Sequence, residues 1–179
     1  DEAQLRHFHE NEVWGGLQAL LDCPVPLVAA IQGACMGAGV EIASCCDLRI
    51  ATLDAKFGAP IAKLGFPMAP RELELVGREV GSMVARRMLL EAAVFSATEM
   101  AQQGFLGQLV EAEQFDAVVQ ATAEKVSALS PLAARLNKQA MRAVAQGEAQ
   151  AVAAPYAYAQ DAEHREGIAA FLEKRKPRF

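Results

Sequence analysis

An α/β fold passing into a helical C-terminal region is predicted by three features. A short apolar run, Val25 to Ile31, meets a small-residue turn and then a helix; short strand signals recur up to Leu109-Val110; and from Arg71 onward helical patterns rich in Ala, Leu, Glu and Arg take over. A boundary near residue 111 then separates an α/β core, residues 1–110, from a helical region, residues 111–179.

Each element follows from a local pattern. Residues 4 to 21 carry Leu5, Phe8, Val13, Trp14, Leu17, Leu20 and Leu21 at three- and four-residue spacing, an amphipathic helix stopped by Asp22-Cys23-Pro24. Val25 to Ile31 reads as a buried strand, and a helix runs from Gly37 to Cys46. Leu48 to Ala51 is a second strand, Asp54-Ala55 a turn, and Lys56-Phe57 the start of a brief extended piece ahead of Gly58 and Pro60. Beyond Arg71 no strand is expected except around Leu109-Val110. Ser96-Ala97-Thr98-Glu99 has the form of a capping box, Ser130-Pro131 opens another helix, and Ala162 to Arg175 sets Ile168, Phe171 and Leu172 on one face of a last one.

Composition narrows the function classes. With 179 residues, 53% hydrophobic and 22% charged, the chain can bury a sizeable core. A net charge of -5 argues against a general nucleic-acid binder, which needs a basic face. No apolar run is long enough to cross a bilayer, and Asp1-Glu2-Ala3-Gln4 lacks the basic flank and apolar core of a signal peptide, so no membrane address is expected, and the cysteines, read as reduced, imply a reducing, cytoplasmic setting. Cys23, Cys35, Cys45 and Cys46 lack zinc-site spacing and companion histidines; they read as reduced packing residues, with no metal expected. His7, His9 and His164 read as solvated.

The most informative stretch is Ile31-Gln32-Gly33-Ala34-Cys35-Met36-Gly37-Ala38-Gly39-Val40-Glu41-Ile42-Ala43. Backbone N–H groups at a helix start are free to meet an anion. A substrate carbonyl held there would find donors already in place for the negative charge that develops on its oxygen, and Glu41 would move a proton. Gly and Ala at such a turn also serve close helix-to-sheet packing, with Glu41 then a solvated first-turn residue.

Three separated motifs extend this reading over essentially the whole chain. Pro24 to Ala43 with Cys46-Asp47, then Ser96-Ala97-Thr98-Glu99-Met100-Ala101 with Gly104 and Leu109-Val110, then Glu166 to Arg175 followed by Pro177 and Phe179, resemble, in order, motifs of the crotonase (enoyl-CoA hydratase/isomerase) family. The resemblance implies a crotonase-like spiral of short strands and helices and a helical C-terminal region that assembles trimers or hexamers. It also implies acyl-CoA thioesters as substrates, with coenzyme A entering as part of the substrate and no separate cofactor. At matching positions Ala38, flanked by Gly37 and Gly39, supplies an oxyanion-hole N–H from its backbone. Glu41 matches one of the two carboxylates of hydratases, and Phe171 and Lys174 match residues that approach the CoA adenine and phosphates.

Two departures accompany the resemblance. Where, by the resemblance, Phe57-Gly58-Ala59-Pro60 should lead into the second catalytic Glu, the chain has Ile61, which the resemblance implies lies against the substrate and which cannot titrate. The loop that follows reads Phe66-Pro67-Met68-Ala69-Pro70-Arg71-Glu72, in which Glu72 or Glu74 is either a substitute carboxylate or part of a polar helix start. Second, the family's segment that carries the first oxyanion N–H precedes the point where this sequence begins. The expected function is an enoyl-CoA hydratase-like lyase working through an enolate. Isomerisation, decarboxylation, or acyl-CoA binding without catalysis are the alternatives that Ile61 keeps open.

Overall fold

Three passes of the chain each lay one short strand in each of two sheets. In the computed structural model, which describes residues 1–148, 152 and 154–179, the strands are β1 (Val28–Ile31), β2 (Ala34–Met36), β3 (Leu48–Thr52), β4 (Lys56–Gly58), β5 (Val94–Ser96) and β6 (Gln108–Val110). The first sheet has the order β1-β3-β6 and is parallel throughout, with Val28 opposite Leu48 and Ile50 opposite Gln108. The second has the order β2-β4-β5; β2 runs parallel to β4, with Ala34 opposite Lys56, while β5 is antiparallel, with Phe57 opposite Phe95. Parallel neighbours need a crossover, and helix α3 (Ala38–Cys45) lies within the first one, so successive turns stack as a spiral.

The chain divides into two compact units, Asp1–Cys23 with Leu27–Val119, and Pro24–Pro26 with Gln120–Phe179. The division falls inside α7 (Phe115–Ser127), past the end of β6. In the first unit the core gathers Ile31, Val40, Phe57, Val76, Met88 and Phe105, with the Phe57 and Phe105 rings edge to face, 6.0 Å between centroids. Burial on this scale is the main favourable term holding the spiral together. Gly58 stands where a Cβ would come within 3.1 Å of both the Ala93 carbonyl oxygen and Met36 Cε, whereas at Gly39 it would meet only Cys35 Sγ at 3.5 Å. Gly58→Ala is therefore expected to destabilise by about 1–3 kcal/mol in urea titrations, with Gly39→Ala close to neutral.

Three elements differ from the sequence expectation. The N-terminal helix is broken in type: α1 (Glu2–His7) and α2 (Trp14–Asp22) flank a π-helical segment, Phe8–Val13, in which the Trp14 N–H reaches back to the His9 carbonyl. β2 occupies residues read as part of a turn, because three small residues carry no periodicity that separates the two states. β5 was not expected at all; it runs straight into the capping box of α6 (Ala97–Gln102), so its last residue, Ser96, gives a helix signal. That capping box is formed, with the Ser96 N–H donating to Glu99 Oε2 at 2.8 Å and the Glu99 N–H to Ser96 Oγ at 3.3 Å.

The second unit is helical, with α8 (Pro131–Ala145) and α9 (Ala162–Glu173). Ser130 caps α8 as its sequence suggests, and the Glu163 carboxylate accepts from Ser130 Oγ at 2.5 Å and the Leu132 N–H at 2.9 Å. Lys138, almost fully buried, donates to the Val25 carbonyl at 2.7 Å. Near the C-terminus Arg175 pairs bidentately with Glu166 at 2.6 and 2.8 Å, which holds the Glu166 carboxyl down to about 2. Among the described residues no helix is long and apolar enough to cross a membrane.

Candidate active site

The turn between β2 and α3 is set by Gly37, whose φ of 52° and ψ of -116° suit a residue without a Cβ. Its N–H donates to the Gly58 carbonyl at 2.8 Å, extending the β2–β4 ladder by one bond. The Gly37 amide is thus used in folding, and the first donors of the helix start are those of Ala38 and Gly39. Ala38 is the first residue of α3, where the helix offers no carbonyl one turn back and no side chain caps the end. It is also exposed.

Glu41 lies three residues on, on the same side of the helix as Ala38. It is not a solvated first-turn residue: it is only 7% exposed, and among the described residues it makes no hydrogen bond or ion pair. Its carboxyl is pushed up to about 7, chiefly by burial, then by the neighbouring Glu72 carboxylate, with His9 acting in the opposite direction. A carboxyl that changes charge near neutrality and has no structural bond to break is suited to proton transfer.

Two residues join it, one read as solvated and one left between two roles. His9 is half-buried, not solvated, with Nδ1 2.8 Å from Glu72 Oε1. Glu72, in the first turn of α4 (Pro70–Val80), is 3% exposed. It does serve a helix start, with Oε2 accepting the Ala69 N–H at 3.4 Å, and at the same time faces inward. His9 was missed because the α-helical phase of its neighbours leaves it unassigned, and the π segment that changes the phase has no local sequence signal. His7 and His164 are exposed, as expected.

Ile61 opens a 3-10 turn, Ile61–Leu64, half-buried against the main core. Gly37, Ala38, Gly39 and Glu41 therefore come together on one turn, with Glu72 on the helix packed against α3 and both it and His9 acting electrostatically on Glu41. Phe171 and Lys174 belong to the second unit: Phe171, in the last turn of α9, is 81% exposed, and Lys174 ends the helix in the left-handed conformation at φ 54°. A cavity of about 330 Å³ in that unit, lined by Ser130, Leu136, Asn137, Tyr158, His164 and Ile168 among others, contains none of these residues. The four cysteines form no disulfide among the described residues; burial pushes the thiols of Cys35 and Cys45 up to about 11 and 12, which leaves them protonated and unreactive at neutral pH.

A family model described as enoyl-CoA hydratase/isomerase matches residues 2–179. The chain belongs to the enoyl-CoA hydratase/isomerase family. Among curated relatives of this family, a crotonyl-CoA hydratase of Syntrophomonas wolfei is 36% identical over 162 residues, covering 86% of this chain and 61% of that protein. A 2,3-dehydroadipyl-CoA hydratase of Escherichia coli is 33% identical over 178 residues, covering 94% and 67%. The crystal structure of an enoyl-CoA hydratase/carnitine racemase from Magnetospirillum magneticum superposes with a TM-score of 0.83 at 37% identity, over 91% of this chain and 62% of that one. The fold is thus the crotonase spiral. The chain spans about three fifths to two thirds of the length of these hydratase/isomerase relatives.

Proposed function

We propose that this chain carries the catalytic turn of an enoyl-CoA hydratase-like lyase acting on acyl-CoA thioesters. The thioester carbonyl oxygen takes a hydrogen bond from the Ala38 N–H at the start of α3, so that charge developing on it as an enolate forms is met by a donor already in position. Gly39 keeps the approach clear of side chains, and Gly37 fixes the turn through Gly58. Glu41 exchanges a proton with water or with the substrate carbon next to the carbonyl. Phe171 and Lys174, exposed at the end of α9, suit contact with the adenine and phosphates of coenzyme A, and assembly as a homotrimer or hexamer in a reducing cytoplasm completes the reading.

The observation that carries it is Glu41: a residue only 7% exposed, with no hydrogen bond or ion pair from its side chain among the described residues, one turn from the helix-start donors. The relatives' hydratase names support the same reaction class. The test is hydration of crotonyl-CoA by the protein expressed from its complete reading frame, with Glu41→Gln expected to lower kcat roughly 10²–10⁴-fold. Unchanged turnover in that variant would sink the assignment.

Ile61 favours a second reading within the family. Isomerisation or decarboxylation needs the enolate but not two carboxylates, and a chain with one would do either. Turnover of a 3-enoyl or malonyl-type thioester in preference to a 2-enoyl one would select it. Thioester binding with no turnover of any of the three would mark a non-catalytic binder.

A further inference from the structure

Hydration across a conjugated double bond needs two proton-handling groups, one for water and one for the α-carbon, and Ile61 removes the expected second one. The first unit offers a replacement. Glu72 reaches the neighbourhood of Glu41 from α4, which packs on α3, and is buried like it. One of its oxygens is held by His9 at 2.8 Å and the other only loosely by the Ala69 N–H at 3.4 Å. His9 arrives there on the π-helical segment, and a π turn inside an otherwise α-helical run is rare and frequently marks a functional position. The buried Glu72, on the helix packed against α3, and the half-buried His9 are thus paired, and both act electrostatically on Glu41.

We propose that Glu72 is the second acid–base group of the reaction, standing in for the carboxyl that Ile61 lacks, and that His9 is its positioning residue. The inference rests on the hydratase reading above. In the hydration direction the Glu72 carboxylate takes a proton from water as the water oxygen bonds to the β-carbon. The π electrons of the double bond move to the α-carbon and carbonyl, and the Glu41 carboxylic acid delivers its proton to the α-carbon. One O–H bond and one C=C π bond are lost and one C–O and one C–H bond are gained; H and OH are added, with no other reactant. The proton left on Glu72 passes to solvent and Glu41 takes one up from it, which resets both groups. The groups that act electrostatically on Glu41 are Glu72 from α4 and His9 from the N-terminal run; the Cys45 thiol on its own helix stays protonated.

The test compares wild type, Glu72→Gln and His9→Asn in crotonyl-CoA hydration, using the protein from its complete reading frame. Gln keeps the volume, the Ala69 cap and a hydrogen bond to the ring but cannot shuttle a proton, and Asn keeps a donor at the Nδ1 position without the charge. Glu72→Gln should lower kcat roughly 10²–10⁴-fold with KM nearly unchanged. His9→Asn should stay within about tenfold of wild type but move the pH profile. A Glu72→Gln protein that retains a third or more of wild-type kcat with the same pH profile overturns the inference while leaving the hydratase reading intact. A wild type that hydrates no 2-enoyl thioester overturns both. Should Glu72→Gln not fold, carboxyl ¹³C NMR titration decides: His9→Asn must raise the Glu41 midpoint, because a positive neighbour is removed, and an unmoved midpoint sinks the cluster.

Discussion

Glu41→Gln is expected to give a protein that is slower and yet more stable at neutral pH. The Glu41 carboxyl sits at about 7 in the folded chain against 4.5 in the ordinary case, mainly because burial disfavours its charge. Below about pH 4.5 the folded and unfolded chains both hold the proton, and Glu41 imposes no penalty. Between 4.5 and about 7 the unfolded chain releases it while the folded chain keeps it, so stability falls as pH rises; above 7 the penalty is complete. A displacement of this size corresponds to on the order of 3 kcal/mol. Gln is isosteric and uncharged, so it removes the penalty, less what desolvating an amide costs. Urea titrations at about pH 8 should show Glu41→Gln more stable by roughly 1–3 kcal/mol, and at about pH 4.5 the gain should shrink toward zero. A variant no more stable than wild type at the higher pH would mean that Glu41 is solvated, and the site would lose its chemical basis. Stability surrendered at one residue in this way is common where a group is kept for reaction rather than for packing.

How much of this was legible beforehand differs between fold and site. The helix Gly37 to Cys46, the strand at Leu48, the Ser96 and Ser130 caps and the last helix all follow from periodicity and capping chemistry, and the structure has them with ends shifted by a residue or two. What local pattern could not supply was β2 and β5, three residues each, whose strand character comes from pairing with β4 on either side rather than from their own composition. Tertiary context also decided the entry of β1, which begins at Val28 rather than Val25 because Leu27 is tied down by Asp47, its N–H donating to Oδ2 at 2.6 Å.

At the site the helix-start turn and Glu41 were readable because both lie within five residues of one another. The burial of Glu41 was not, since it depends on α4 and the N-terminal run packing over α3. His9 and Glu72 lie 63 residues apart in sequence, and no spacing rule links them. The sequence offers Glu72, with Glu74, either as a substitute for the carboxyl missing at Ile61 or as part of a polar helix start, and spacing alone does not choose between them. The structure shows that one carboxylate serves two partners, with one oxygen for the helix end and the other for the imidazole.

The largest structural loss is expected at Arg49, on β3. Its guanidinium, mostly buried, donates from Nε to the Phe105 carbonyl at 2.6 Å and from Nη1 to the carbonyls of Ala43 and Cys46 at 3.3 and 3.1 Å. Both Nη atoms also reach Glu79 Oε2 at 3.2 Å, and the group stacks over the Phe105 ring at 4.6 Å. One side chain therefore satisfies the C-terminal carbonyls of α3, ties α3 and α4 to the central strand, and holds the loop that leads into β6. Arg49→Met keeps the aliphatic stem but removes the guanidinium donors from three carbonyl oxygens, of which that of Ala43 keeps the Cys46 N–H at 3.2 Å, and among the described residues leaves Glu79 the exposed Arg78 as ion-pair partner, at 3.3 Å. Breaking a buried charged network from one side costs about 3–5 kcal/mol. In a chain of this size that is a fall in Tm of roughly 6–20 °C. Arg49→Lys should recover little, because one ammonium cannot cover a fork of acceptors spread over α3, α4 and the Phe105 loop. Adding Glu79→Gln to Arg49→Met should restore part of the loss by removing the stranded charge. A drop below about 1 kcal/mol for Arg49→Met would mean that the two helices hold their places on apolar packing alone. The aim of α3, and with it the direction in which the Ala38 N–H and the Glu41 carboxyl point, would then be set by Val40 and Ala43 in the core.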